Sequence, residues 1–211
     1  MTAAGDELRY FADPMCSWCW GFAPVIRELA RQLPEDQPLR VISGGLRAGN
    51  TRGLDESTRR QILHHWQQVQ AASGQAFAFD GVLPVGFVYD TEPACRAVSW
   101  VARHASAHSL DTLGALQAAF YRDRRDLNRI SVVQEVLGEL GLADLAAELD
   151  SNAARQAAEQ DFEETRAHGI SGFPSLMLYR GASARTRIVS IGYQPLNDVQ
   201  ASLQRALQRD P

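Results

Sequence analysis

Two cysteines separated by two residues, Cys16 and Cys19, stand in the stretch ADPMCSWCWGFAP, residues 12–24. Thiols at this spacing support three chemistries: half of a metal clamp, a pair of packed core residues, or a redox pair that closes into a disulfide and reopens. A zinc site needs two further ligands, and the chain offers poor ones. Cys95 stands alone, His64 and His65 are adjacent, and His104 and His108 have no glutamate at 105 to complete a helical zinc motif. As plain core residues the pair would sit beside Trp18 and Trp20 at an apolar strand end; Cys95, inside an Ala/Val helical stripe, suits that role better. The redox reading makes a demand on local structure: one sulfur must be ionisable and accessible, the other one turn behind it. Cys16 follows a short apolar run of strand length, residues 8–12, and opens a segment in which Phe22, Val25, Ile26, Leu29 and Leu33 fall at helical spacing. At a helix start a thiol faces free backbone N–H groups and the positive end of the dipole, which lowers its pKa from about 8.5 into a range of roughly 3.5 to 7.5. Such a thiolate attacks a disulfide, and Cys19 then resolves the mixed disulfide. Ser17 and Trp18 tune the pair by hydrogen bonding and shielding, while the Asp13 carboxylate opposes a nearby thiolate. Helical phase predicts Trp18 exposed and Phe22 buried.

The elements around the pair read as strand, helix, strand. Residues 39–43 form the second strand and end in Gly44-Gly45; the intervening helix makes the two strands parallel. Pro24 lies inside the helix and should bend it. From Asp55 to His168 the chain turns helical, with stripes at Ile62, Leu63, Trp66 and Val69, at Ala94, Ala97, Val98 and Val101, at Leu113, Leu116 and Phe120, and at Val132, Val133, Val136, Leu137 and Leu140. A polar-faced helix from about Asn152 ends at His168-Gly169-Ile170, where glycine supplies a left-handed cap. Residues 77–93, rich in Gly and Pro, read as a surface loop. Strand signals return at 175–179 and 187–191, and a last helix carries Leu196, Val199, Leu203 and Leu207. Phe173-Pro174 stands directly before the third strand, where proline is tolerated and the X-Pro bond has access to the cis form.

Composition narrows the function. At 211 residues and 45% hydrophobic the chain can fill a core without staples, and three cysteines are too few for a secreted disulfide framework. A net charge of −4 with no basic run argues against nucleic acid or an anionic membrane as partner. All 21 basic side chains are arginine, so Schiff-base chemistry and a lysine base are excluded. No stretch has the apolar run that a secretory signal or a bilayer span requires, so a cytoplasmic protein is expected. Gly44-Gly45 lacks the frame of a phosphate loop, and no flavin or nicotinamide site is visible.

The motifs MCSWCWGF, TEPACRAV and GFPSLML resemble those of the DsbA-like oxidoreductases of the thioredoxin superfamily, and among them the cytosolic FrnE-like branch. The resemblance implies an α/β thioredoxin fold, βαβ…ββα, with a large all-helical insertion: residues 1–50 and 170–211 forming the thioredoxin-like domain and 51–169 the helical insertion domain. It implies Cys16 as attacking and Cys19 as resolving thiol. Pro174 would be a cis-proline packed opposite them, the Phe173 backbone would pair with an extended substrate as an added strand, and Ser17 and Trp18 would touch that substrate. The implied activity is protein-disulfide oxidoreductase, acting on protein or small-molecule disulfides with no bound cofactor or metal and with glutathione or another thiol protein as electron donor. A cytosolic glutathione poise of about −220 to −320 mV favours the dithiol and hence reduction or isomerisation. Two other functions fit the same outline. One is a glutathione-dependent transferase or isomerase resembling the kappa class, whose first motif position is expected to be serine where this chain has Cys16. The other is a redox-switched peptide-binding module or holdase. Oligomeric state is not legible.

Overall fold

The computed structural model describes residues 5–208 apart from 182 and 184; the outermost residues of the expected thioredoxin-like segments, 1–4 and 209–211, lie outside the described residues. The first strand, β1 (Glu7–Ala12), sends Leu8 and Tyr10 into a large core and Phe11 into a smaller one with Ile42 and Met177, so both its faces are covered. Helix α1 (Ser17–Gln32) packs the stripe Cys19, Phe22, Ile26 and Leu29 inward and runs through Pro24 as one helix. Strand β2 (Leu39–Ser43) lies parallel to β1, with Leu8 opposite Leu39 and Ala12 opposite Ser43.

Helices then follow without a strand between them: α2 (Glu56–Ser73), α3 (Glu92–His104), a 3-10 turn at Ser106–His108, α4 (Ser109–Tyr121), α5 (Ile130–Glu139), the short α6 (Ala143–Ala147) and α7 (Asn152–Ala167). Asp55 caps α2 by accepting from the Thr58 amide at 2.7 Å, and Ser151 caps α7 by accepting from that of Ala154 at 3.1 Å. Gly169 closes α7 at φ 68°, and the Ile170 amide returns to the Thr165 carbonyl at 3.1 Å. Strand β3 (Ser175–Arg180) pairs antiparallel with β1, strand β4 (Arg185–Ile191) antiparallel with β3, and α8 (Leu196–Gln208) closes the chain. The sheet order is β2-β1-β3-β4. This is a mixed α/β thioredoxin fold with helices placed between its second and third strands. No helix of the described residues is long and apolar enough to cross a membrane.

One expectation is corrected in part. The 77–93 stretch is irregular over 77–91 and exposes Asp80, Gly81, Pro84, Val85 and Gly86, but Phe77, Val82, Leu83, Tyr89 and Thr91 are buried, and Glu92 and Pro93 already belong to α3. Glycine and proline break its helical period, yet its aromatic rings join Trp66, Phe120 and Tyr121, with centroids 5.5 Å apart for Trp66–Phe77 and 5.6 Å for Tyr89–Phe120. Its backbone finds partners outside regular structure: the Ala78 amide donates to the Tyr121 carbonyl at 2.7 Å, and the Leu54 amide to the Phe87 carbonyl at 2.9 Å.

Candidate active site

The turn between β1 and α1 is held by a buried carboxylate. Asp13 accepts from the Met15 amide at 2.8 Å and, across the fold, from the Leu46 amide at 2.7 Å, while its own carbonyl accepts from the Cys16 amide at 3.1 Å. Burial pushes the Asp13 pKa up from its ordinary 3.8, and these hydrogen bonds pull it partly back. The third thiol, Cys95, donates to Asp13 Oδ2 at 3.3 Å and packs with Ala158 and Phe162; it is a core residue with a polar tie, and burial raises its pKa.

Cys16 occupies the N-cap of α1 with extended backbone, φ −91° and ψ 116°. Its sulfur is held within the fold but not sealed, the residue being 6% exposed, and the thiol donates to the Phe173 carbonyl at 3.5 Å. The Phe173–Pro174 peptide bond is cis. The structure thus brings Cys16, Phe173 and Pro174 together from opposite ends of the chain. Cys19 lies one turn deeper and is fully buried; burial first, then its hydrogen bond with Cys16, pushes its thiol well above the ordinary 9.0. Both cysteines are free thiols. Tyr10 is fully buried too, and burial, followed by the charges of Cys19 and Cys16, raises its pKa well above 10.0.

A cleft of about 300 Å³ opens beside Cys16. Ser17, Trp18, Gly172 and Phe173 line it from the sheet side, and Ile62, His65, Trp66 and Tyr89 from the helical side, with Arg47 at its rim. Trp18 is half-buried rather than exposed. Its indole N–H donates to His65 Nε2 at 2.5 Å, and its ring lies 5.7 Å from both His65 and Tyr193. Helical phase accounts only for the helix's own neighbours; α2 and the segment before α8 cover this ring from outside. Phe22 is buried, as its phase requires.

Sequence reading missed Tyr89, whose hydroxyl donates to the Met15 carbonyl at 2.7 Å and so ties the helical region to the thiol-bearing turn. It also missed Arg47, whose guanidinium sits 5.1 Å over the Tyr89 ring, and His65. No local pattern marks these residues, since each reaches the cleft through tertiary packing. Gly44 has a reason visible only in three dimensions: a Cβ there would lie 2.2 Å from the Phe173 ring. A larger hollow of about 660 Å³ between α1 and α4, bounded by Pro24, Arg27 and Asp111, contains neither thiol of the pair in its lining.

Sheet order, inserted helices and a strand-to-helix turn carrying two free thiols define a thioredoxin-fold protein with a dithiol at the start of its first helix. It belongs to the DSBA-like thioredoxin domain family, whose profile matches residues 7–204. A solved structure described as a "putative protein disulfide isomerase" from Nitrosomonas europaea is 34% identical, covers 98% of this chain and 100% of its own, and superposes with a TM-score of 0.90. The cytosolic disulfide reductase DsbM of Pseudomonas aeruginosa shares the fold at 24% identity, 97% and 100% coverage and a TM-score of 0.77. Its complex with GSH matches at 24% identity, 96% and 99% coverage and a TM-score of 0.75. Among curated proteins, the ClpXP adapter protein SpxH of Bacillus subtilis is 22% identical over 180 residues, which are 82% of this chain. The chain spans only 58% of that relative's length.

Proposed function

We propose that the chain reduces or isomerises disulfides, with Cys16 as nucleophile and Cys19 as resolving thiol. The observation that carries this reading is the meeting of the Cys16 sulfur with the Phe173 carbonyl at 3.5 Å, beside a cleft open to solvent. The Cys16 thiolate attacks one sulfur of a substrate disulfide: a bond to Cys16 forms, the substrate bond breaks, and one substrate thiolate leaves and takes a proton from water. Cys19 then gives up its proton and attacks the Cys16 sulfur. The second substrate thiolate departs, two electrons have passed to the substrate, and the enzyme holds a Cys16–Cys19 disulfide. Two glutathione molecules return it to the dithiol and leave as glutathione disulfide.

Phe173 and Gly172 present backbone to an extended substrate segment, Ser17 and Trp18 contact it, and Arg47 offers a cation to a glutathione carboxylate. The names of the Pseudomonas and Nitrosomonas relatives support this activity, and the GSH complex of DsbM supports glutathione as reductant. A cytoplasmic workplace, like that in DsbM's name, sets the direction towards reduction. In this division residues 1–50 and 170–211 carry the chemistry and the helical insertion, 51–169, selects what enters the cleft. Cys16→Ser is expected to abolish turnover of a disulfide substrate, and Cys19→Ser to accumulate a mixed disulfide visible by mass. Full turnover in Cys16→Ser disposes of the reading.

A second reading, a redox-sensitive adapter that binds a client without turnover, is favoured by the SpxH relatives. It predicts client binding with no catalytic reduction beyond one disulfide per chain.

A further inference from the structure

We propose that Tyr10 is a positioning residue for the second thiol: its hydroxyl donates a hydrogen bond to the Cys19 sulfur whenever that sulfur carries the negative charge. The inference rests on the assignment of Cys16 and Cys19 as the exchanging pair.

Tyr10 lies mid-strand in β1, opposite Val41 on one side and Leu176 on the other, so two neighbouring strands fix where its side chain points. The ring packs beside Phe22 with centroids 5.9 Å apart, and the residue is fully buried. Among the described residues its hydroxyl has no hydrogen-bond partner at bonding geometry. The titratable groups bearing on it are Cys19 and then Cys16. A buried hydroxyl without a partner is costly, and phenylalanine would fill the same space without that cost. The orphan therefore points to a partner that changes during the reaction.

Cys19 is that partner. A neutral thiol is a weak acceptor, whereas a thiolate is a strong one, and hydrogen bonds to an ionised group are about twice as strong as neutral ones. The groups that bear on the Cys19 thiol are Cys16 from its own helix and the Asp13 amide and carboxylate from the turn, and Cys19 bears in turn on Tyr10 from β1. The Asp13 amide favours the thiolate; the Asp13 carboxylate opposes it. Once the Cys16 sulfur is bonded to another sulfur it carries no proton, which leaves the Asp13 N–H and the Tyr10 O–H as the donors among these groups. Burial keeps the Tyr10 phenol protonated, so it donates without ionising.

When a glutathione thiolate attacks the Cys16 sulfur of the enzyme disulfide, a Cys16–glutathione bond forms, the Cys16–Cys19 bond breaks, and the electron pair leaves on Cys19. The Tyr10 hydroxyl stabilises that leaving sulfur. In the forward direction it stabilises the same sulfur after its proton has gone to solvent and before it attacks Cys16. The phenol proton stays on its oxygen throughout.

The test is Tyr10→Phe, which keeps the ring. Rapid mixing of the oxidised enzyme with glutathione is expected to show disulfide opening slowed about tenfold, the weight of one hydrogen bond to a charged group. The pH midpoint of the resolving step should move upward. In a Cys19→Ser background, Tyr10→Phe should leave the capture of a substrate disulfide by Cys16 unchanged, and its urea midpoint should not fall. Equal opening rates in Tyr10→Phe and wild type overturn the inference, as does an equal slowing in the Cys19→Ser background, which would assign the effect to packing. Should Cys19→Ser itself turn over like wild type, the exchanging pair is misassigned; that result is read separately from the Tyr10 comparison.

Discussion

The two walls of the thiol cleft are held in different ways. On the sheet side, Cys16 is placed by the start of α1, and Phe173 by the start of β3, whose register against β1 is fixed by Phe11 opposite Ser175. On the helical side, Ile62, His65 and Trp66 project from α2 and Tyr89 from an irregular connection. What holds that wall is side-chain packing: Trp66 meets Tyr121 at 4.9 Å and Phe120 at 5.8 Å, and Tyr89 reaches the Met15 carbonyl. Backbone pairing sets strand position through main-chain hydrogen bonds, whereas a packed ring cluster is left with a cavity when one ring is truncated. Cys16 therefore sits on the wall held by strand and helix backbone, and the wall opposite is the one that a single side-chain change can reshape.

Substitutions can break this contrast. Trp66→Ala, at a residue only 1% exposed, should cost about 3–5 kcal/mol in urea unfolding, because the ring leaves a cavity among its aromatic neighbours. A loss under about 1 kcal/mol would mean that the helical wall does not depend on ring packing. Tyr89→Phe removes a donor from a buried carbonyl and should cost about 1–3 kcal/mol while leaving the ring in place. If its substrate KM matches wild type despite that loss, the tie between helical wall and turn has no part in shaping the cleft. Arg47→Ala should raise the KM for glutathione about fivefold, the weight of an exposed ion pair, with kcat retained and with less effect at high salt. A fall in kcat alone would place Arg47 in the chemistry instead.

The smallest effect is a pH slope. Because burial raises the Asp13 pKa above its unfolded value of 3.8, its contribution to stability is fully present below that value and is lost as pH rises through the elevated one. Asp13→Asn should remove this slope, so wild type loses stability relative to the variant as pH climbs from the acid side towards neutrality. Parallel urea midpoints of the two proteins across that span would contradict it.

The asymmetry between the walls also explains what could be read from residues alone. The strand and helix signals around Cys16 are local: the apolar run 8–12 forms the expected strand, and Phe22, Ile26 and Leu29 fall inward as their helical spacing implies. The Gly169 cap is equally local. The meeting of Cys16 with Phe173 came from the family resemblance rather than from any period, since the two residues are 157 positions apart. Tyr89, His65 and Arg47 were illegible because the contacts that bring them to the cleft are long-range and irregular. The 77–93 stretch is only partly at the surface for a related reason: Gly and Pro announce a break in helix, and burial of its aromatic residues depends on rings elsewhere. Trp18 failed likewise, its cover being supplied by His65 and Tyr193.

The lack of a side chain at residue 44 has a consequence for how such a chain can change. The Phe173 ring occupies the volume in which any other amino acid at 44 would put its first carbon, and the carbonyl of that same phenylalanine faces the Cys16 sulfur. A methyl group at 44 would unseat the ring and, with it, the oxygen. Positions 44 and 173 are thus bound to vary jointly or not at all, which makes them a covarying pair to seek wherever relatives are aligned.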